Sequence, residues 1–526
     1  MNSNEKSKDT GKTIWPGNRA VRRTLIGLVW MITLVALFYA EEDWRGWHAW
    51  NQFRQQLEAG GAQLDWKAFI PKPVSDDQNF AATPVVESWF ALTPNTNSTD
   101  RFINHWQDNF APALGRVSMP KEKNDRHFMD LVAWEMAFGA IQSGQTKSNQ
   151  EFESGKPDLA SRAAAAPAVR EGLKTNETVL AELRDASQRP YSRYPVVYNL
   201  DNPWGILLPH LKNVKNAVQR LQLKACAELA DGRSDEALAD VKLMLYLADS
   251  VKGEPFLISY LVRLACVQLA IQPVWEGLAE HAWSDAQLQE LQANFQQYDF
   301  VADLKRPLGA EQAAGILTVE LTRKNGLHYW NDISNSESNT PSGHRMANLI
   351  DSLVASGWYY QEEFNFCRLF HMLLGTDLDP AKKQISPKQV ESNKGEFDRV
   401  LGRPGFSRVI HHRLIAALLL PALGRVPIKA AMAQTTVDEA VLACALERYR
   451  LANGQFPETL EALVPRFISQ LPNDVISGEP YKYHLTNDGQ FVLYSVGWNE
   501  KDDGGVPGKH LFDLAQGDWV WSYPAK

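Results

Sequence analysis

An uncharged apolar stretch near the N-terminus places the strongest constraint on this 526-residue chain. Residues 24–40 (TLIGLVWMITLVALFYA) contain no Asp, Glu, Lys or Arg. They reach the ~17 residues that a membrane-spanning helix requires. Because such a segment must bury its side chains in lipid or in protein, the sequence predicts a single transmembrane helix over residues 24–40.

The charges on either side of this stretch predict its orientation. Three acidic residues follow it at once, Glu41, Glu42 and Asp43. The residues before it are basic: Lys6, Lys8, Lys12, Arg19, Arg22 and Arg23. Because basic flanks stay on the cytoplasmic side, we expect a cytoplasmic tail over residues 1–23 and an extracytoplasmic chain from residue 41. The predicted location is the inner (cytoplasmic) membrane, with a single pass.

A cleaved signal peptide is the alternative interpretation of the same stretch. The one plausible cut, after Ala40, places Phe38 at the minus-three position, where a small residue is expected. The pattern therefore favours an uncleaved anchor.

Charge and cysteine content limit the classes of partner and cofactor. The chain has 54 basic and 62 acidic residues, a net charge of −8, without long blocks of one sign. Nucleic-acid binding depends on a basic surface, so we expect no nucleic-acid partner. The cysteines lie far apart among apolar residues, and we expect them to be buried, although a disulfide between the first two remains open. They are Cys226, Cys266, Cys367 and Cys444.

Helical patterns dominate residues 41–430. Ser284 and Gln287 form a capping box ahead of apolar residues at helical spacing. Residues 414–423 (LIAALLLPAL) are too short to span a bilayer and are predicted to form a buried core helix. We therefore expect a large extracytoplasmic helical body of one or two subdomains.

Three tryptophans mark the start of this body. Trp44, Trp47 and Trp50 recur at intervals of three, close to the expected membrane surface. Tryptophan is common at that level of a bilayer, so the pattern predicts a juxtamembrane helix with an aromatic belt.

A different pattern begins near residue 431. Thr436 and Glu439 form a capping box, and Asn453-Gly454 is a helix-stop signal. Residues 481–486 and 491–496 then alternate around the turn Asn487-Asp488-Gly489, which predicts a β-hairpin. Residues 518–521 (DWVW) predict a third strand. The sequence thus predicts a small α+β domain with an antiparallel sheet over residues 431–526.

The motifs of this last segment carry a family resemblance. A helix ALERYRLANGQFP leads to LEALV, then to LPNDVISGEPYKY, and then to FVLYSVGWNEKDDGG. In this order and spacing, residues 445–505 resemble the globular domain of the major pseudopilins of type II secretion systems. The resemblance covers about a fifth of the chain, and it implies a pseudopilin-like α+β fold and partners in an envelope assembly.

The N-terminal stretch departs from the pseudopilin pattern. No Gly stands directly before residues 24–40, and no Glu lies five residues into them, so the pilin processing site is missing. The chain is therefore expected not to be a pilin subunit itself. The whole layout resembles uncharacterised membrane-anchored bacterial envelope proteins, through residues 76–84 (DDQNFAATP) and the ALERYRL helix.

The loop after Ser495 is the one candidate metal site. Pseudopilins bind calcium in this loop, and Ca²⁺ prefers oxygen ligands on a Gly-bearing loop. The residues implied by the resemblance are Asn499, Asp502, Asp503, Asp513 and Asp518. The loop departs from the family, with Asn where Asp is usual and without the acidic run after the glycines. The alternative is a polar turn, for which Asn, Asp and Gly are the preferred residues.

No catalytic motif is present: the chain has no HExxH and no GxSxG, and GKT at residues 11–13 lacks the first glycine of a phosphate loop. We therefore expect a non-enzymatic scaffold that docks through its pseudopilin-like domain on envelope proteins. The alternative is an envelope hydrolase or substrate-binding protein with its site in the helical body. A pocket with converging polar side chains would favour the alternative, and an exposed apolar patch would favour the scaffold.

Overall fold

The computed structural model describes residues 17–93, 101–102, 106, 108–117, 126–144, 151–152, 155–326, 329, 354–375, 378–379, 381–403 and 405–523. Most of the predicted cytoplasmic tail lies outside these residues. The described chain is mainly helical, with an apolar N-terminal helix and a small antiparallel sheet, as predicted.

The helices are numbered in chain order. The first nine are α1 (Gly17–Ala59), α2 (Pro84–Glu87), α3 (Phe110–Leu114), α4 (Leu131–Gln142), α5 (Leu159–Leu173), α6 (Glu177–Ala186), α7 (Pro209–Ala230), α8 (Ser234–Asp249) and α9 (Leu257–Ala279). The others are α10 (Asp285–Phe295), α11 (Phe300–Asp303), α12 (Lys305–Asn325), α13 (Ser356–Leu374), α14 (Pro387–Leu401), α15 (Phe406–Ile410), α16 (Leu414–Leu419) and α17 (Val426–Asn453). Short 3₁₀ helices lie at Trp66–Phe69, Asp76–Gln78, Phe80–Ala82, Ser88–Phe90, Lys174–Asn176, Pro203–Gly205, Leu420–Arg425 and Leu460–Leu463.

The strands of the described residues form three separate antiparallel units. Two are two-residue pairs, β1 (Leu92–Thr93) with β2 (Arg101–Phe102) and β3 (Leu378–Asp379) with β4 (Gln384–Ile385). The third is the sheet β5 (Lys482–Leu485), β6 (Phe491–Ser495) and β7 (Trp519–Trp521), in that order. All three strands of this sheet lie within one residue of the segments predicted from sequence.

The helix before the sheet is longer than its capping pattern predicts. α17 begins at Val426, so Thr436 lies in its interior and donates its hydroxyl to the carbonyl of Met432. The helix ends where predicted, at Gly454, which adopts φ 80°. α17 is buried along most of its length because it packs against α9, α10, α11 and the sheet.

Three described helical stretches are long and apolar enough to span a membrane: Val21–Ala59, Leu257–Ala279 and Leu414–Asn453. In the most apolar 18-residue window of each, the buried share is 0%, 61% and 50%. The first is therefore the stretch whose apolar side chains have no protein around them. This agrees with the predicted anchor over residues 24–40, although hydropathy does not give the orientation.

Backbone contact between glycines joins the N-terminal helix to the body. A Cβ added to Gly357 of α13 would lie 2.1 Å from the carbonyl oxygen of Glu42, and one added to Gly46 would lie 2.2 Å from the carbonyl oxygen of Gly357. Asp43 accepts a hydrogen bond of 2.5 Å from the Gly357 N–H, at the start of α13. Further along, the rings of Phe53 and Phe364 lie 5.2 Å apart. α13 thus runs beside α1 in the same direction.

The juxtamembrane tryptophans divide between two surroundings. Trp44 and Trp47 are exposed, whereas Trp50 is buried in the main core. The predicted helix over residues 44–50 is present as part of α1, and Trp50 is part of the body. The four cysteines are free and buried, in agreement with their apolar sequence surroundings.

Candidate functional site

A cavity of about 700 Å³ opens in the helical body. Its walls come from the chain just after α1 (residues 60–63), the start of α9, the start of α12 (residues 305–309) and the end of α13. The volume lies within the range of roughly 300–1,000 Å³ that small-molecule sites occupy. These walls are far apart in sequence, so the cavity exists only in the folded body.

Much of the cavity wall is apolar and aromatic. The side chains concerned are Phe69, Val251, Tyr260, Val301, Pro307, Leu308, Phe370 and Leu374. Most of them are buried in the core behind the wall, and the Tyr260 hydroxyl donates to the carbonyl of Phe300 at 2.7 Å. Because these side chains also pack into the core, the wall is fixed by the fold.

One group of charged residues in the wall is internally paired. Arg263, which is 2% exposed, lies between Asp249 and Asp303, each at 2.7 Å. Lys252 also contacts Asp303, at 3.2 Å. These pairs neutralise one another, so this side of the cavity offers little net charge to a ligand.

Two cations at the mouth of the cavity have no such partner. Lys305 and Arg306 are exposed, and neither forms an ion pair with a carboxylate of the described chain. The Arg306 guanidinium donates instead to the carbonyl of Phe69, at 2.6 Å. Both residues lie in the first turn of α12, where the helix dipole favours anions over cations. The mouth therefore combines two unneutralised positive charges with the positive end of a helix.

His371 and Gln312 face the cavity from α13 and α12. The Nε2 of His371 lies 3.0 Å from the Nε2 of Gln312. Burial lowers the pKa of His371, so its imidazole is neutral at pH 7. The pair can therefore offer uncharged hydrogen-bonding groups to a ligand.

Glu254 lies in the wall with a buried network behind it. Ser259 Oγ donates to Glu254 Oε2 at 2.5 Å, and His210 Nε2 lies 2.8 Å from Glu254 Oε1. The His210 ring is stacked on Tyr194 and Phe90, with centroid distances of 4.1 and 5.4 Å. This network fixes the position of the carboxylate.

The wall combines apolar side chains with a few charged ones at its mouth. A cavity with apolar walls and a cationic mouth is suited to holding a ligand with one anionic and one apolar end.

The predicted calcium-loop residues lie close together in the C-terminal unit, and their carboxylates contact backbone amides. Asp518, which is 1% exposed, accepts hydrogen bonds from the N–H groups of Asp503 and Gly505, the latter at 2.7 Å. Asp503 in turn accepts from Asn499 Nδ2 at 3.0 Å and from the Gly517 N–H at 3.2 Å.

The other two carboxylates of the loop are engaged in the same way. Asp502 accepts from the Tyr494 hydroxyl and from the Gly504 N–H, both at 3.0 Å. Asp513 accepts from three backbone N–H groups, which lowers its pKa: those of Lys509, Ala515 and Gln516. In the described part of the chain, no three His, Cys, Asp or Glu side chains converge on a point that could hold a metal ion. As arranged, the loop falls short of the six to eight oxygens that Ca²⁺ takes. Calcium binding remains a prediction from sequence.

The cavity was not predicted from sequence, although one local signal for it exists. Lys305-Arg306-Pro307 places two cations at the start of a helix, where acidic residues are the usual choice. Basic residues in the first turn of a helix are suited to a site that holds an anion. They do not by themselves indicate the apolar walls of the cavity.

Comparison of the chain with protein-family models, with curated proteins and with solved structures gives no match in any of the three.

Proposed function

We propose that this protein is a membrane-anchored binding protein whose helical body holds a small anionic ligand in the cavity between α9, α12 and α13. The observation that carries the proposal is the pair Lys305 and Arg306, which stand unpaired at the mouth of an apolar cavity. In this proposal α1 is the anchor, and the basic residues before residue 24 favour a body on the extracytoplasmic side of the inner membrane.

The class of ligand follows from the groups that would contact it. A carboxylate, sulfonate or phosphate would receive charge-assisted hydrogen bonds from Lys305 and Arg306 and would lie at the positive end of α12. An apolar group attached to it would contact Phe69, Tyr260 and Phe370. Inorganic anions would gain only the first set of contacts, so we expect an organic anion to bind more tightly.

Calorimetry on the full chain in lipid nanodiscs tests this proposal. The probe is naphthalene-2-sulfonate, with the uncharged naphthalene-2-sulfonamide as the matched compound. We expect saturable binding of the sulfonate, and a loss of about tenfold or more in affinity for Lys305→Glu/Arg306→Glu, because about 1.4 kcal/mol of contact energy corresponds to tenfold. The control Lys482→Glu/Lys501→Glu has the same charge change at exposed positions of the C-terminal unit.

Two results would overturn the proposal. One is equal affinity of the two double variants for the sulfonate. The other is equal affinity of the wild-type protein for sulfonate and sulfonamide, because the two mouth cations would then contribute nothing.

A second proposed function is docking on an envelope assembly, of secretion type, through the C-terminal unit. It rests on the resemblance of residues 445–505 to major pseudopilins and on strand β5, which is an edge of the sheet with exposed Lys482, His484 and Leu485. Exposed sheet edges can accept a strand from a partner. Calcium bound in the 499–518 loop would stiffen this unit.

Crosslinking and affinity capture from native membranes tests the docking proposal. Truncation before α17 would remove a buried core helix, so a point variant in β5 is the better comparison. Leu485→Pro removes one backbone N–H from the edge strand, and Leu485→Thr retains it. Pilus- or secretion-type components captured by the wild type and by Leu485→Thr, and lost with Leu485→Pro, would support docking. Capture of no such component by the wild type would end this proposal.

A further inference from the structure

A helix made only of apolar residues lies beside the exit of the anchor and exposes one of its faces. Residues 414–423 contain no polar side chain. One face of α16, with Ile415 and Ala416, is buried, but Leu414 and Leu418 on the other face are 47% and 62% exposed. Ile410, at the end of α15, is 55% exposed. The expectation of a buried core helix here is therefore met on one face only.

These three side chains, here called the apolar ridge, are unusual for a surface in water. A helix that packs on a protein core normally turns polar side chains to solvent, and one that is apolar all round is buried in protein or in lipid. α9, which is almost as apolar, is enclosed by other helices. The apolar ridge therefore requires an apolar neighbour.

Contacts through α13 fix the level of the apolar ridge relative to the anchor. Gly357 packs against the backbone of residues 42–46. Trp358 follows it, and its ring lies 5.3 Å from that of His412, on which the charges of Glu42 and Arg45 also act. Residues 42–46 come two to six residues after Ala40, or about 3–9 Å at 1.5 Å per residue.

The same contacts attach α16 firmly to the anchored part of the body. Glu362 of α13 accepts hydrogen bonds from the N–H groups of Leu414 and Ile415, at 3.0 and 3.2 Å. The start of α16 is therefore held at the level of the first turns of α1 that follow the apolar segment. The polar headgroup layer on each side of a bilayer is about 5–7 Å thick, and His412, whose ring lies against Trp358, is the part of this surface nearest to it.

Charge around the apolar ridge agrees with a lipid neighbour. Residues 401–430 contain no Asp or Glu. Their basic residues are Arg403, Arg408, Arg413, Arg425 and Lys429. None of these five forms an ion pair with a carboxylate of the described chain. Arginine and lysine beside an apolar helix face are characteristic of segments that lie in a membrane interface and face anionic headgroups.

We infer that the apolar ridge is a second membrane contact, which lies in the bilayer interface beside the anchor and holds the body against the lipid surface. The inference rests on the proposed function in one respect, because it requires α1 to span the membrane. Trp44 and Trp47, which are exposed on α1 just after the apolar segment, would complete the contact.

Quenching of a fluorescent label on the full chain in nanodiscs tests the inference. Single cysteines are introduced and labelled as Ile410→Cys in the ridge, Val29→Cys in the anchor and Val506→Cys in the C-terminal unit. Val506 is 60% exposed, which matches the exposure of Ile410, and the four native cysteines are buried. The unaltered chain measures their background labelling. The quenchers are a spin-labelled phosphatidylcholine, which stays in the bilayer, and aqueous iodide.

We expect the lipid quencher to reduce emission at positions 29 and 410, and iodide to reduce emission only at position 506. If the lipid quencher reduces emission at position 29 while position 410 responds only to iodide, the ridge does not contact the bilayer. This result would contradict the inference without contradicting the membrane anchor. Protection of position 410 from both quenchers would mean that protein covers the ridge, which also overturns the inference. If the lipid quencher left emission at position 29 unchanged, α1 would not be the membrane anchor. The proposed function depends on that anchor and would fail as well.

Discussion

The apolar part of α1 and the helix α9 have similar mean hydropathy, 1.9 and 1.5, but opposite surroundings. In the most apolar window of α1 no residue is buried, whereas 61% of the α9 window is buried between helices. α9 carries two charged residues, Arg263 and Glu276, and both are buried with partners from other helices. Residues 24–40 of α1 carry none.

This difference shows what hydropathy leaves out. A charged side chain in an apolar helix must be paired when it is buried, and the pairing partners come from the protein. Arg263 and Glu276 therefore tie α9 to its neighbours, whereas an uncharged stretch such as residues 24–40 has no need of them. The partners of the charges separate a core helix from an anchor more sharply than length or hydropathy.

The largest expected effect comes from removing the partner of Glu276. Arg162 of α5 bonds both Glu276 and Glu280, and it also donates to the carbonyl of Met129 at 3.2 Å. Arg162→Met leaves the Glu276 carboxylate buried and unpaired, and we expect the free energy of unfolding to fall by about 3–5 kcal/mol. Chemical denaturation of the full chain measures it.

The control for this variant is an ion pair of the same type on the surface. Arg170 bonds Asp231 with both side chains about 30% exposed (28% and 31%). Arg170→Met should lower the free energy of unfolding by about 1 kcal/mol or less. If Arg162→Met cost no more than this control, the buried pair would not be what holds α9 in the core.

The second effect separates anchor from core by placing the same charge in each. Val29→Arg puts a cation in the middle of the exposed apolar stretch, which should cost about 2.5–3.5 kcal/mol of membrane insertion. Val267→Arg puts it in the fully buried side of α9. We expect Val29→Arg to increase the fraction extracted by alkaline carbonate and to leave the thermal unfolding of the body unchanged.

The reverse pattern is expected for Val267→Arg, which should lower the thermal stability of the body and leave the fraction anchored in membranes unchanged. If both variants lost stability but neither became extractable, α1 would not be the membrane anchor.

Elements set by local sequence could be predicted, and those set by distant contacts could not. The capping box of Ser284 and Gln287 is present in the structure, and Gly454 ends α17 where its left-handed preference indicates. Both signals lie within a few residues of the feature that they determine. The hairpin of β5 and β6 is local in the same sense, because its turn residues directly join its strands.

The start of α17 shows how a local signal fails. Thr436 and Glu439 have the spacing of a capping box, but both are buried in the middle of the helix. Packing against α9, α10 and α11 extends the helix back to Val426, because burial of an apolar face outweighs the free energy of a cap, about 1 kcal/mol. The cavity could not be predicted for a related reason, since its walls come from residues between 60 and 375.

A smaller effect is expected at the contact between α1 and α13. Gly357→Ala adds a Cβ that would overlap the carbonyl oxygen of Glu42, so the two helices must separate. We expect the free energy of unfolding of the body to fall by about 1–3 kcal/mol, as measured by thermal unfolding. Gly27→Ala in the apolar stretch is the control, because nothing lies within 4 Å of its added Cβ. Equal stability of the two variants would show that the glycine contact does not hold the body to the anchor.

The last effect, the smallest when counted per pH unit, concerns a buried carboxylate that, unlike Glu276, lacks an ion-pair partner. Neither carboxylate oxygen of Glu363 accepts a hydrogen bond from the described residues, and burial, together with the nearby charge of Glu320, raises its pKa to about 8. Because the pKa is higher in the folded state, the folded protein is favoured by protonation. The contribution of protonated Glu363 to the free energy of unfolding is fully present below about pH 4.5, and it is lost as pH rises toward 8.

Glu363→Gln should remove this pH dependence, because the amide stays neutral. We expect the variant and the wild type to have similar free energies of unfolding near pH 4. From there up to pH 8, the free energy of unfolding of the variant should rise relative to that of the wild type by at most about 1.4 kcal/mol per pH unit. Thermal unfolding across this range measures the gain, with Glu391→Gln on the exposed side of α14 as the control. A constant difference between Glu363→Gln and the wild type at every pH would mean that folding does not raise the pKa of Glu363. The contrast between paired and unpaired carboxylates in these helices would then have no basis in protonation.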